Sequence, residues 1–258
     1  MAGAGAQPEG AARAMDNLML IGLARQQTLR RTMDVAANNI ANASTTGFKA
    51  ERVMLEAHTD HRARHADGPD RVAFVDEWAM GRDFRQGALT ATGRPLDLAL
   101  EGEGFFTLET AAGERFTRDG RFTLAEDGAL SASDGARVLG DAGQPVFLDP
   151  AAGEITISAA GEISQGGAPV ARLGVVRFEQ PGQLMKSGDN RYTAPEDAER
   201  VFENLAQVRQ GYTEASNVQA ITEITRMMEV SRAYASVTKM IKDADELSRK
   251  AIERLGRP

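Results

Sequence analysis

The sequence predicts an α+β protein in which N- and C-terminal helices form a discontinuous coiled-coil or bundle layer around a central antiparallel β-domain. Three observations carry this expectation. Apolar residues step by three and four through both ends of the chain, the spacing of a single helical face. Between those ends the period shortens to brief apolar runs punctuated by Asp-Gly pairs, the pattern of short strands joined by tight turns. The 258 residues include 26 glycines but only 5% aromatic residues, which suits aliphatic helix seams and a turn-rich sheet.

Residues 1–14 are small, Gly-rich and without apolar period, so a flexible extension is expected there. Residues 15–71 read as a helix followed by an extended connector. No proline interrupts Asp16 to Ala41, and Leu29, Met33, Ala36 and Ile40 fall on one face. Asn38, Asn39 and Asn42 crowd the end of this helix. Ser44-Thr45-Thr46-Gly47 then stops it, because short polar side chains compete for backbone groups and glycine tolerates positive φ.

Residues 72–205 read as a β-rich domain. Strands are expected at 105–108, 121–124, 137–139, 154–157 and 174–178, with turns at Asp119-Gly120, Asp127-Gly128 and Asp134-Gly135. Residues 206–258 return to helical period. Ser216 and Gln219 fit a capping box at the start, and Met227, Val230, Tyr234, Val237, Ile241, Ala244, Ser248, Ala251 and Leu255 hold a seam that only Ser248 breaks.

Composition narrows the function. A net charge of −7 argues against a phosphate-binding surface, so nucleic acid is not an expected partner. With no cysteine there is no disulfide, thiolate metal site or Cys nucleophile. The apolar run Leu18 to Ala24 is too short to span a membrane, and with Asp16 ahead of it and Arg25 behind it makes a poor cleavable signal. His58, His61 and His65 have the spacing of a metal cluster, but their strongly polar surroundings read better as a solvated connector. Asp119, Asp127, Asp134 and Asp141 recur as in a calcium-binding β-roll but lack its paired glycines, so hairpin turns are expected instead. Glu101 and Glu103, two apart and so expected on one sheet face, could suggest a carboxylate pair acting on glycans such as peptidoglycan. Neighbours on one strand do not flank a scissile bond, and edge solubilisation is the better reading. No nucleophile elbow, zinc-protease motif or P-loop occurs. No catalytic residue, cofactor or metal is expected.

The β-domain has turns enough to close on itself, which leaves the terminal seams to pair with each other. A two-helix pair still leaves apolar surface wet, at about 1.5–3 kcal/mol for each Leu-sized side chain, and helices from further copies would cover it.

The run from Met33 through Asn38-Asn39-Ile40-Ala41-Asn42 to Gly47-Phe48-Lys49 resembles the signature of the bacterial flagellar axial proteins, that is, rod, hook and hook-associated subunits. Gly93 to Phe106 with Phe116 to Phe122, and Gln210 to Val218 with Ser231-Arg232-Ala233-Tyr234, are similar to that family's β-domain opening and C-terminal pattern. Glu103 and Tyr212-Thr213 depart from it. The resemblance implies a helical tube with terminal helices of many copies as its inner layer and the β-domain outside. The modest middle region favours a rod subunit over a hook protein, and Ile21 to Gln26 with Leu29-Arg30-Arg31 and the ending Arg249 to Gly256 look most like a proximal rod subunit, with a distal one the runner-up. It further implies a torque-bearing structural protein of the periplasmic rod, exported unfolded through the flagellum's own type III apparatus. Its partners would be other copies of itself, other rod proteins and the export apparatus, with no membrane insertion.

Overall fold

The computed structural model describes residues 8–60, 72–201 and 206–255. Helix α1 spans Pro8–Ala41, so it begins well ahead of Asp16. Proline suits a first helical turn, where its missing N–H has no intrahelical partner to lose, and Glu9, Ala11, Ala12 and Ala14 are good helix formers. Residues 8–14 are helical rather than a flexible extension. The helix stops where expected. Gly47 has φ +69°, and a Cβ there would sit 2.5 Å from the Arg118 carbonyl carbon, so glycine is required twice over.

The chain divides into two compact units. The first comprises residues 1–40, 51–81 and 220–258. After α1 come strands β1, Glu51–Asp60, and β2, Val72–Arg82, which pair in a two-stranded sheet. This corrects the expected connector. Val53, Leu55, Val72, Phe74, Val75 and Trp78 are the β-branched, aliphatic and aromatic types that strands favour. Thr59 and Asp60, expected in a solvated connector, close β1. His58 is also in β1, whereas His61 and His65 lie outside the described residues.

Helix α2 spans Ala220–Leu255. It starts later than the capping-box reading places it. The Ser216 hydroxyl accepts from Val218 N at 3.2 Å, and the Asn217 side chain is spent on loop backbone: its Oδ1 accepts from Ala50 N at 2.8 Å and its Nδ2 donates to the Asp83 carbonyl at 2.7 Å. With the Asn217 side chain committed to these distant backbone groups and the Ser216 hydroxyl to Val218 N, the chain stays non-helical to Gln219. The two helices meet antiparallel. Gln26 Nε2 donates to Thr238 Oγ1 at 3.1 Å, and one turn earlier on α1 a Cβ at Gly22 would fall 2.9 Å from Ile241.

The second unit comprises residues 41–50 and 82–219. Its main sheet runs, edge to edge, through the strands Met185–Lys186, Arg191–Thr193, Gly113–Thr117, Phe105–Thr110, Arg137–Val138, Leu130–Ala132 and Phe122–Leu124, with Val175–Phe178 also paired to Phe105–Thr110. A three-stranded antiparallel sheet, Ile155–Ile157, Glu162–Gln165 and Ala168–Arg172, adds a second layer of strands. All five expected strands are present. The unit boundaries differ from 72–205 because β2 pairs with β1, while Gln207–Gln210 pairs with Leu98–Glu101 and Tyr212–Glu214 with Leu89–Ala91.

Leu98, Leu100, Phe106, Leu108, Phe122, Leu130, Val138 and Ile163 fill the main core, where Phe106 and Phe122 meet edge to face at 5.2 Å. A second cluster packs Phe105, Phe116, Val176, Phe178, Leu184 and Tyr192. Gly128 and Gly135 take positive φ as turn residues, but Gly120 does not. Gly120 is needed for close approach: a Cβ there would lie 1.7 Å from the Leu98 carbonyl oxygen.

Candidate assembly site

The seam residues turn inward within the first unit. On α1, Leu29 and Ala36 are buried, with Met33 and Ile40 half-buried. On α2, Met227, Val230, Tyr234, Val237 and Ile241 are half-buried and Ala244 is buried, while Leu255 ends the helix. The apolar side chains that stand in solvent are others: Leu20, Ile21 and Leu23 on α1, and Ile221 (82% exposed), Ile224, Met228, Met240 and Leu247 on α2.

The three asparagines do different work. Asn39 is fully buried, and its amide closes a two-point lock on one backbone unit, donating to the Glu51 carbonyl at 2.8 Å and accepting from Glu51 N at 2.9 Å. A side chain that satisfies both groups of one residue mimics a β-ladder partner and fixes where β1 begins. Asn42 Oδ1 accepts from Thr45 Oγ1 at 3.2 Å in the turn after α1. Asn38 is exposed.

Within the second unit, three charged side chains that sequence reasoning gave no role form a buried clasp. Glu214 is fully buried; its Oε1 accepts from Lys49 Nζ at 2.6 Å and from Gly87 N at 2.9 Å, and its Oε2 from Arg118 Nη1 at 3.1 Å. Lys49 Nζ also donates to the Arg85 carbonyl at 2.8 Å, and Arg118 Nη2 to the Gly102 carbonyl at 2.7 Å. The Arg118 guanidinium stands 5.4 Å from the Phe105 ring centroid, an attractive cation–π position. Burial pushes both Lys49 and Arg118 below their ordinary pKa values, and the Glu214 carboxylate opposes that push. The backbone repeats the tie, since Gly47 N donates to the Glu214 carbonyl at 2.7 Å. The clasp therefore binds the segment that follows α1 to the segment that precedes α2. No local signal could reveal it, because Lys49 and Glu214 are 165 residues apart.

The other candidates resolve into structural pairs. Asp119 pairs with Arg121, Asp127 with Arg137, and Asp134 with Arg191. Glu101 bonds Arg209 at 2.6 Å from the end of its strand, while Glu103 lies beyond Gly102 (φ +109°) and approaches Arg177 at 3.5 Å. The two glutamates thus do not share a strand face, because the chain turns between them. Among the described residues, no three His, Cys, Asp or Glu gather as metal ligands. No described helix is long and apolar enough to cross a membrane.

Three family models match in chain order: "Flagella basal body rod protein" at residues 19–49, "Flagellar hook protein FlgE/F/G D1 domain" at 99–165 and "Flagellar basal body rod FlgEFG protein C-terminal" at 209–254. The first and third fall on α1 and α2, and between them they include Lys49 and Glu214. The flagellar basal-body rod protein FlgF of Caulobacter vibrioides is 46% identical over 94% of this chain and 99% of its own length. FlgF of Rhizobium meliloti is 34% identical over the same shares. FlgG of Caulobacter vibrioides is 34% identical over 88% of this chain and 93% of its own. From a single organism, then, FlgF shares more of this sequence than FlgG does. Matches at both helices and at the sheet between them, together with a relative aligned over nearly its whole length, establish that the chain belongs to the flagellar basal-body rod protein family.

Proposed function

We propose that this protein is the proximal subunit of the flagellar rod, a structural element that carries motor torque. The observation that supports this reading best is the end-to-end match to FlgF. The architecture agrees in physical terms. Torque transmission needs stiff repeated contacts, and three buried charges, Lys49, Arg118 and Glu214, hold segments together rather than line a solvent-facing reactive site. The terminal segments, expected at 15–71 and 206–258, form the inner layer of the rod, and the β-rich region expected at 72–205 lies outside it. The subunit is not an enzyme. It leaves the cytoplasm through the flagellar export apparatus as an unfolded chain, a passage that the absence of cysteine eases by precluding disulfides. It joins other rod proteins in the basal body.

The test is deletion followed by electron microscopy and immunoblotting of isolated basal bodies. Loss of this chain should leave stubs at the inner membrane that lack the distal rod protein, and overproduction should not lengthen the rod. A rod that shortens or lengthens with the dose of this chain would instead identify it as the distal subunit.

A further inference from the structure

The two seams repeat too regularly to say how α1 and α2 line up. From Gly22 to Ile40 the seam of α1 alternates steps of four and three, and from Met227 to Ser248 the seam of α2 alternates steps of three and four. Sliding one helix past the other by a heptad, about 10 Å, therefore sets seam on seam again. The polar contact does not forbid the slide. Gln26 Nε2 donates to Thr238 Oγ1 at 3.1 Å, and one heptad to either side on α2 stand Ser231 and Asp245, each of which accepts from an amide. A polar seam residue specifies register when a single position can pair with it, and here three can. Gly22, which lies against Ile241, has room for the smaller Ser248 one heptad on.

We infer that Asn217 and the Lys49–Glu214 clasp act as a register stop, which selects one alignment of α1 and α2 from those the seams accept. Asn217 is held on every side. Its Oδ1 accepts from Ala50 N at 2.8 Å, its Nδ2 donates to the Asp83 and Arg85 carbonyls at 2.7 and 2.9 Å, and its own N–H donates to the Phe48 carbonyl at 3.4 Å. Gly47 N donates to the Glu214 carbonyl at 2.7 Å, and the Glu214 side chain holds Lys49. The tail of α1 and the approach to α2 are thus joined at residues 47–50 and 214–217. Only Val218 and Gln219 separate Asn217 from the first residue of α2. Two residues span at most about 7 Å when fully extended, which falls short of the slide. On the α1 side, Thr45 N and Phe48 N donate back to the Asn42 and Thr45 carbonyls at 3.1 and 3.2 Å, so the turn stays wound. A slip would have to break these bonds or unwind a helix end. The stop acts within one chain and does not depend on the rod-subunit reading; it decides which outward side chains of the two helices stand side by side.

The absence of cysteine makes the test direct. Three full-length chains carry Gln26→Cys together with Thr238→Cys, Ser231→Cys or Asp245→Cys, and each is treated in dilute solution with a bifunctional thiol reagent shorter than the slide. Mass spectrometry after proteolysis reads the intramolecular cross-link. The 26–238 pair should close about tenfold more than either other pair, because closure follows the effective concentration of one thiol at the other. The same three pairs are then placed in a chain with a seven-residue Gly-Ser insert between Val218 and Gln219. Such an insert reaches about 15 Å on average, more than the slide, and leaves every bond of Asn217 and the clasp in place. In the lengthened chain the 26–231 or the 26–245 pair should close to within about twofold of 26–238. Asn217→Ala without the insert should move the yields in the same direction. A lengthened chain that still closes 26–238 alone would show that the seams set their own register and would overturn the inference. So would a chain of parent length that closes a slipped pair as readily as 26–238. Loss of all three cross-links in the lengthened chain would overturn it too, since the tie would then be making the helix pair instead of aligning it.

Discussion

Replacing Glu214 by glutamine would expose how the clasp holds the second unit together. The side chain keeps its size, but one buried anion that neutralises two buried cations disappears, leaving Lys49 and Arg118 facing each other with carbonyl oxygens as their main compensation. Removing one member of a buried ion cluster costs about 3–5 kcal/mol, because an uncompensated charge stays out of water. For a unit of this size, that lowers the melting temperature by about 6–20 °C. Lys49→Met should cost less, about 1–3 kcal/mol for the lost charge-assisted hydrogen bonds, because it leaves a neutral Glu214–Arg118 pair in which Gly87 N still donates to Oε1 and the Asn217 amide still donates to the Arg85 carbonyl. The pH dependence has a definite sign. Lys49 titrates below 10.5 in the folded chain, so between its folded value and 10.5 the unfolded chain binds the extra proton, and this group's contribution to stability rises with pH. Without Glu214 the lysine loses its proton at still lower pH, so the gap between parent and Glu214→Gln should narrow as pH approaches 10.5. Calorimetry and near-ultraviolet circular dichroism of the full chain at pH 7 and pH 10 would measure both effects. A Glu214→Gln melting point within about 2 °C of the parent, or a larger loss for Lys49→Met, would refute this account of the clasp.

Asn39→Ala should remove the two hydrogen bonds that its side chain makes with the Glu51 N–H and C=O, at about 0.5–1.5 kcal/mol for each, and hydrogen exchange at the Glu51 amide should accelerate markedly. Gly120→Ala should abolish soluble expression or cost more than about 4 kcal/mol, since the new methyl collides with the Leu98 carbonyl; a soluble variant with a normal melting point would contradict the close approach. The Arg191 side chain, by its hydrogen bond, holds the Asp134 carboxyl below its usual pKa. The stability it contributes is therefore present above pH 3.8 and lost as pH falls through the lower folded value. Asp134→Asn should flatten that part of the acid unfolding curve, by a small amount because the pair is half exposed and screened by salt. Leu29→Asp and Val237→Asp each bury or half-bury a charge in the helix pair, at several kcal/mol if it stays unpaired. Proteolysis should then digest the helices while a core near residues 82–219 persists, and swimming on soft agar should cease.

The sequence alone determined the elements whose cause is local. Helical period marked α1 and α2, Asp-Gly pairs marked the turns at 127–128 and 134–135, and the Asn-rich run ending at Gly47 marked where α1 stops. Each of these depends on neighbours within a few residues, so spacing reveals it. The start of α2 failed for an instructive reason: Ser216 and Gln219 have the right spacing for a capping box, but Asn217 bonds to Ala50 and Asp83, partners that no local window contains. The pair β1 and β2 was hidden for the same reason, since each strand depends on the other. The seam pattern identified which helix faces are apolar. Only the tertiary structure decided that the seams meet within one chain and that Ile221, Ile224 and Leu20 are left outside. A heptad records burial, not the copy that supplies the partner. The clasp lies furthest from the sequence. Lys49, Arg118 and Glu214 are ordinary charged residues until folding removes their water, and only then does the physics of a buried charge make each of them depend on the others.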